Sequence, residues 1–179
     1  MDGREFRSLL SHMEWADAHT WRAARAVPAA HTDERLRWLL HHLHLVQSVY
    51  LQAWRGDPFV VTELASYPDL PAIEAWARPF YPKALAFAES LDEATLGTVI
   101  DYPWANLIVE QFGSVVPSTL SESAWQVLSH TTYHRGQVAT RIRELGGQPP
   151  LVDFLVWVWG GRPAAEWPPN NPSAAESTE

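Results

Sequence analysis

The sequence predicts an all-α protein built as a four-helix bundle, and three observations carry this prediction. Apolar residues recur with helical spacing along four long stretches of the 179-residue chain. Glycine and proline stand near the points where these stretches end. The connection before the last stretch is instead rich in β-branched and aromatic residues around a proline, which predicts a short irregular or hairpin insertion.

The first two helices have clear ends. Residues 4–27 place their apolar side chains on one stripe at about 100° per residue, and Pro28 ends the helix. Thr32 is the predicted N-cap of the second helix. Gly56 stops this helix, so we expect a loop over residues 57–68.

The next two elements are less regular. Residues 70–92 have a helical pattern, but Pro79 and Pro82 should kink or break the helix. Residues 95–113, TLGTVIDYPWANLIVEQFG, form the expected hairpin or extended insertion.

The last helix is predicted to begin near Ser121 or Glu122. It ends at Gly146, where two consecutive glycines are followed by two prolines. The apolar residues 151–160 are then expected to pack back on the bundle.

Length and composition fit one domain over residues 1–163, followed by a disordered tail over residues 164–179. The chain has no cysteine, so any metal must be held by His, Asp or Glu. The net charge of −8 argues against a nucleic-acid partner. No apolar run approaches the ~18–20 residues of a membrane span, and the charged N-terminus lacks a signal-peptide core. We therefore expect a cytoplasmic protein without a membrane partner.

Three of the eight histidines are predicted to face the interior. His130 and His134 stand four residues apart on the last helix, and both lie on or beside its apolar stripe. On the second helix, His42 lies in the middle of the apolar stripe. His44 falls on the opposite face and His41 at the margin, so both are expected to be solvated. A shift of one residue would put His41 in place of His42.

Three imidazoles from two helices suit a divalent first-row metal. Neutral histidine nitrogens bind Zn, Ni, Fe or Cu, and three protein ligands leave one position open to water or substrate. The His-x3-His spacing also arises by chance, and a single inward histidine is usually a core residue. A reactive metal centre and ordinary core packing therefore stand as alternatives.

Two further polar residues are candidates to hydrogen-bond the metal-binding histidines or a bound substrate. Asp17 falls on the buried stripe of the first helix, where a carboxylate needs a partner. It is expected either to hold a ligating histidine or to make an ordinary bond between helices. Arg141 could pair with Asp17 or with an anionic substrate, or extend into solvent. Tyr133 points to one side of the site, and Trp15 is expected on the outer surface of the first helix.

Three segments resemble the DinB/YfiT-like superfamily of metalloenzymes. HMEWADAHTW resembles its first-helix Trp-Ala-Asn segment, with Asp17 in place of the usual Asn. LLHHLHLVQSVYLQAWRGDP resembles its second helix, and LSHTTYHRGQVATRIRELGGQPPLVDF its last. The resemblance implies an up-down-down-up bundle, often dimeric, with one Ni, Zn or Fe ion on His42, His130 and His134. It also implies that some relatives use a low-molecular-weight thiol.

The leading prediction for function is a metal-dependent enzyme that acts on a small molecule. It would be a hydrolase or a low-molecular-weight-thiol-dependent transferase, working as a homodimer. The alternative is a dimeric metal-binding module of the stress response without catalytic activity. A di-iron carboxylate site is excluded, because the sequence contains no Glu-x-x-His.

Overall fold

A computed structural model describes residues 1–169 of the chain. Helices make up most of these residues, and they are accompanied by a two-stranded antiparallel sheet. The prediction of a mainly α-helical protein is therefore confirmed. None of the helices within residues 1–169 is both long enough and apolar enough to cross a membrane.

Helix α1 spans Gly3–Arg25, close to the predicted limits. The Asp2 carboxylate accepts from the Glu5 backbone N–H at 2.8 Å, and the Glu5 carboxylate accepts from the Asp2 N–H at 2.8 Å. This reciprocal capping satisfies backbone donors that the first helical turn leaves free.

Helix α2 spans Glu34–Arg55 and follows a 3-10 helix over Pro28–Thr32. The predicted cap was one residue early: Thr32 belongs to the 3-10 helix, and Asp33 caps α2 by accepting from a first-turn N–H at 2.7 Å. Gly56 ends the helix with a φ of 66°, a left-handed conformation that glycine adopts without strain.

The third helical stretch breaks at Pro79, as predicted. A 3-10 turn over Leu64–Ser66 precedes helix α3, Leu70–Ala77, and helix α4, Phe80–Glu89, follows the break. Pro82 lies in the first turn of α4, where no intrahelical N–H donor is required.

The insertion before the last long helix contains helix α5, Glu93–Leu96, and helix α6, Ala105–Phe112. Strands β1, Val99–Ile100, and β2, Ser118–Thr119, flank α6 and pair antiparallel, with Val99 opposite Thr119. The hairpin expected over residues 95–113 is therefore misplaced. Its second half is helical, because β propensity is a weak determinant outside a packed sheet.

Helix α7, Leu120–Glu144, is the last long helix. Thr119 and Glu122 form a second reciprocal cap, so the helix begins slightly earlier than predicted. Gly146 follows the helix with a φ of 85°.

The segment after α7 folds back on α1, as predicted. It forms helix α8, Phe154–Trp159, whose Trp157 is buried against Trp15 and Ala16. Trp15 was expected on an outer surface, and this expectation is wrong because α8 covers it.

The chain beyond α8 continues along the helices as far as residue 169. Trp167 Nε1 donates to the Glu14 carboxylate at 3.2 Å, and its ring lies 5.6 Å from that of Tyr81. Residues 170–179, which make up most of the tail predicted over residues 164–179, lie outside the described residues.

Helix α1 runs antiparallel to α3 and α4. Arg7 near its beginning pairs with Glu89 at 2.8 Å, and Arg25 at its end pairs with the buried Glu74 at 2.9 Å. Helix α1 also packs along α7.

Helix α2 runs antiparallel to α7. Asp33 at the beginning of α2 pairs with Arg141 near the end of α7. At the other end, Trp54 Nε1 donates to Ser123 Oγ at 2.8 Å. This orientation brings the middle of α2 against the middle of α7, where the histidines lie.

Besides the contact of Trp157 with Trp15 and Ala16, two larger apolar clusters lie in the interior of the described chain. The first includes Phe6, Leu10, Met13, Trp54, Tyr81 and Val127. The second includes Trp21, Leu36, Leu40, Leu70, Val138 and Ile142. Buried polar side chains, including Asp17, Gln47, Thr131 and Arg135, lie at intermediate positions along the same helices.

Candidate metal centre

Three histidines from α2 and α7 meet in one group. His42 lies in the middle of α2, and His130 and His134 lie one turn apart on α7. One ring nitrogen of each lies within 4.8 Å of the others. The ring centroids are 4.3 Å apart for His130 and His134, and 4.6 Å apart for His42 and His134. We refer to His42, His130 and His134 as the histidine trio.

The histidine trio lies at the rim of the contact between α2 and α7. His134 is buried, whereas His42 and His130 are only partly buried. The expectation that His42 lies in the middle of a buried stripe is therefore wrong, although His42 does belong to the group. One side of the trio is reachable from solvent.

The tautomer of His134 is set by a neighbour on the same helix. Gln137 lies one turn further along α7, and its Oε1 is 2.8 Å from His134 Nδ1. Since an amide oxygen can only accept, Nδ1 carries a proton, and in the neutral ring the lone pair therefore lies on Nε2. Gln137 thus orients the ring as the hydrogen-bond partner of a metal-binding histidine does.

His130 carries an unsatisfied nitrogen. Among the residues that the structure describes, its buried Nε2 has no hydrogen-bond partner. Leaving a buried polar atom unpaired costs about 1–3 kcal/mol. A cation bound between the three rings would give this nitrogen a partner.

The electrostatics of the site favour uncharged rings at His130 and His42. Burial, together with the nearby His134 and His42, lowers the pKa of His130 to about 4. Burial also lowers the pKa of His42. Neutral imidazole is the form that binds a metal, so the three-nitrogen donor set fits Zn, Ni or Fe.

The other two histidines of α2 are buried, and the expectation that they are solvated is wrong. His44 accepts from Trp21 Nε1 at 2.8 Å and donates from Nδ1 to Gln47 Oε1 at 2.7 Å. His41 stacks on Trp76 with the ring centroids 5.1 Å apart. The reason is that α3 and α4 cover the face of α2 that the periodicity assigns to solvent.

Asp17 does not support the trio directly. Its Oδ1 accepts from Arg135 Nε at 2.8 Å, and its Oδ2 accepts from Gln47 Nε2 at 3.0 Å and from the Tyr81 hydroxyl. Burial, with the nearby Asp17 charge, raises the pKa of Tyr81 well above its usual value, so this hydroxyl remains a donor. Gln47 also donates to Thr131 Oγ1 at 3.3 Å.

Arg141 was the other candidate to support the trio, and it lies elsewhere. It pairs with Asp33 at the beginning of α2 and with Glu144 at 2.7 Å. The cation that meets Asp17 is Arg135, which the sequence argument missed. A carboxylate on the buried stripe of α1 was the signal that a buried cation was needed.

A family model described as the DinB family matches residues 1–164. The matched range begins before α1, ends after α8 and includes all three histidines of the trio. No curated protein matches the chain.

Proposed function

The chain belongs to the DinB family, and we propose that it is a metal-dependent enzyme. In this proposal His42, His130 and His134 hold one divalent cation, Zn, Ni or Fe. The exposed side of the trio leaves a coordination position for a small-molecule substrate or for water.

One observation carries this proposal. Three imidazole nitrogens, one from each ring, lie within 4.8 Å of one another, and His130 Nε2 is buried without a partner in the described chain. Ordinary core packing, which was the alternative for these residues, would leave that nitrogen unpaired. A shared cation explains both the convergence of the rings and the unpaired atom.

The cation and the residues around it would have different roles. The ion would act as a Lewis acid and lower the pKa of a water or thiol that binds to it. Gln137 keeps the proton of His134 on Nδ1, so that Nε2 is available. The indole of Trp38 lies flat against His42, with the ring centroids 5.0 Å apart, and limits the rotation of that ring. The reaction class that fits an open site of this kind is hydrolysis or transfer to a low-molecular-weight thiol.

Elemental analysis of tag-free protein, purified without chelators or a nickel column, tests the metal site. We expect one equivalent of metal per chain, and loss of the metal in His134→Ala. His31→Ala serves as the matched control, because His31 is exposed on the 3-10 helix before α2. Metal-free protein that also fails to take up added Zn²⁺ or Ni²⁺ in calorimetry would refute the site.

A second measurement separates an enzyme from a non-catalytic metal-binding module of the stress response. The metal-loaded protein is assayed with a panel of low-molecular-weight thiols and with small esters and amides. Turnover that disappears in His134→Ala supports the enzyme. A metal-dependent rise in Tm without any turnover supports the non-catalytic module instead.

We also propose that the long helices form an up-down-down-up four-helix bundle, with α3 and α4 together as its third member. The antiparallel contacts of α1 with α3 and α4, and of α2 with α7, support this arrangement. The homodimer and the cytoplasmic location remain predictions from the sequence.

A further inference from the structure

We infer that the open side of the trio takes a small molecule with an aromatic ring next to its metal-binding group and no other charge. The inference rests on the proposed function, since it requires a cation on the trio. It adds the chemical class of the ligand.

The first observation is an exposed tryptophan in contact with the site. Trp38 lies one turn before His42 on α2, and its ring is parallel to the imidazole, at an interplanar angle of 7°. Nevertheless 50% of Trp38 is exposed. One part of the indole therefore contacts the trio while the rest is available to a ligand.

The second observation is an exposed tyrosine on the other helix. Tyr133 directly precedes His134 on α7, and its ring meets the imidazole edge to face with the centroids 5.1 Å apart. Tyr133 is 64% exposed. The two aromatic rings thus flank the trio, one from α2 and one from α7.

Exposed aromatic rings beside a coordination site favour a particular ligand. An aromatic ring bound against Trp38 or Tyr133 buries apolar surface on both partners, and offset or edge-to-face packing adds to that gain. A small aliphatic ligand on the same cation would leave both rings in water. The site should therefore bind an aromatic ligand more tightly than an aliphatic ligand that has the same metal-binding atoms.

The charges near the site argue against a charged ligand. The arginines closest to the trio along α2 and α7 either pair with a carboxylate or lie on another face of the helix. Arg37 lies about 140° around α2 from His42. Its Nη2 donates to the Tyr67 carbonyl at 2.6 Å, and its buried Nε has no partner among the described residues. Arg135 donates to Asp17 at 2.8 Å. Arg141 pairs with Asp33. A carboxylate or phosphate would lose its usual guanidinium partner, and an ammonium group would be repelled by the bound cation.

Two hydroxamates that differ only in the attached group test the inference. Acetohydroxamate and benzohydroxamate present the same metal-binding atoms, and their dissociation constants are measured by calorimetry on the Zn²⁺-loaded full chain. We expect benzohydroxamate to bind at least about tenfold more tightly, which corresponds to about 1.4 kcal/mol. Trp38→Ala and Tyr133→Ala should each reduce this ratio to about threefold or less.

Control variants keep the test specific. Trp125→Ala removes an aromatic ring of similar exposure, 53%, that lies about 180° around α7 from His134. This variant should leave the ratio unchanged. Trp38→Phe should keep most of the preference, because it keeps a flat ring against His42.

The outcomes separate this inference from the proposed function. If both hydroxamates bind with equal affinity, or if the ratio survives in Trp38→Ala and Tyr133→Ala, the aromatic preference is wrong while the open metal site stands. If the Zn²⁺-loaded protein binds neither hydroxamate, the open coordination position is absent, and both proposals fall.

Discussion

Replacing Asp17 by Asn should destabilise the protein more than any substitution at a surface ion pair. Asp17 is 2% exposed and its partner Arg135 is 5% exposed, so neither charge is solvated. Asn has nearly the same shape as Asp, which means that no cavity forms. The substitution removes the negative charge and replaces one acceptor oxygen by a donor NH2 group.

The loss of stability in Asp17→Asn is estimated from the buried charge of Arg135, which the substitution leaves without a counter-charge. Removing one partner of a buried ion pair costs about 3–5 kcal/mol, because the other charge stays buried without compensation. Gln47 and Tyr81 both donate to Asp17 Oδ2, and the amide can present only one oxygen to Arg135 and these two donors. We therefore expect a loss of about 3 kcal/mol or more, which lowers Tm by roughly 6–12 °C for a chain of this length.

Thermal unfolding followed by far-ultraviolet circular dichroism, in the presence of EDTA, measures the effect without a contribution from bound metal. Glu89→Gln is the matched control. It removes the partner of Arg7 in an ion pair whose side chains are 56% and 52% exposed, and it should cost less than about 1 kcal/mol.

A double-mutant cycle identifies the interaction responsible. Arg135→Met alone leaves the Asp17 carboxylate unpaired and should also cost about 3–5 kcal/mol. The double variant should lose clearly less than the sum, with a coupling of about 2 kcal/mol or more. A change in Tm of less than 2 °C in Asp17→Asn, or additive losses in the cycle, would show that the ion pair does not hold the core as argued.

Three further predictions follow from the same contacts. The hydrogen bond from Arg141 lowers the pKa of Asp33 below its usual 3.8. The stabilisation by this carboxylate is therefore complete above that usual pKa, and it is lost as the pH falls through the lowered pKa of the folded state. Asp33→Asn keeps a helix cap but should cost about 1 kcal/mol at pH 7 and less at pH 3, as measured by urea unfolding. Added Zn²⁺ at about 100 times its Kd should stabilise the wild type by about 2.7 kcal/mol, an effect that thermal shift should find absent in His42→Ala and retained in His41→Ala. Asp17→Asn should also weaken Zn²⁺ binding about tenfold in calorimetry, because the pair with Arg135 sets the rotation of α7 and so the position of His134, whereas the surface control Glu89→Gln should not.

The helices were predictable because their signals are local. Apolar periodicity located each long helix, and proline or glycine marked its end. Pro79 and Pro82 predicted a break, and the break before α4 lies at Pro79. The hairpin expected over residues 95–113 was misplaced. β-branched residues favour strands only weakly, packing overrides this preference, and α6 forms there instead.

The site was only partly predictable, and α2 explains why. The buried leucines Leu40, Leu43 and Leu51 lie about 100–180° around the helix from His42, and Trp38, on the other side of His42, is half exposed. Helix α7 covers one face of α2, and helices α3 and α4 cover another. Apolar residues therefore surround most of α2, and its apolar periodicity does not mark a single buried face. His42 does converge with His130 and His134, but on a face that proves to be the rim.

The partners of Asp17 could not be read from the sequence, since they come from α2, α4 and α7 and depend on tertiary packing. The position of Arg135 nevertheless determines where the histidines of α7 point. Arg135 and His134 are consecutive on α7, about 100° apart around the helix. When Arg135 is fixed on Asp17 in the interior, the rotation of α7 is fixed as well, and His134 must point to the rim where His42 lies. A rotation by one residue would remove the ion pair and turn both α7 histidines away from α2, so the buried charges and the trio at the rim depend on the same register.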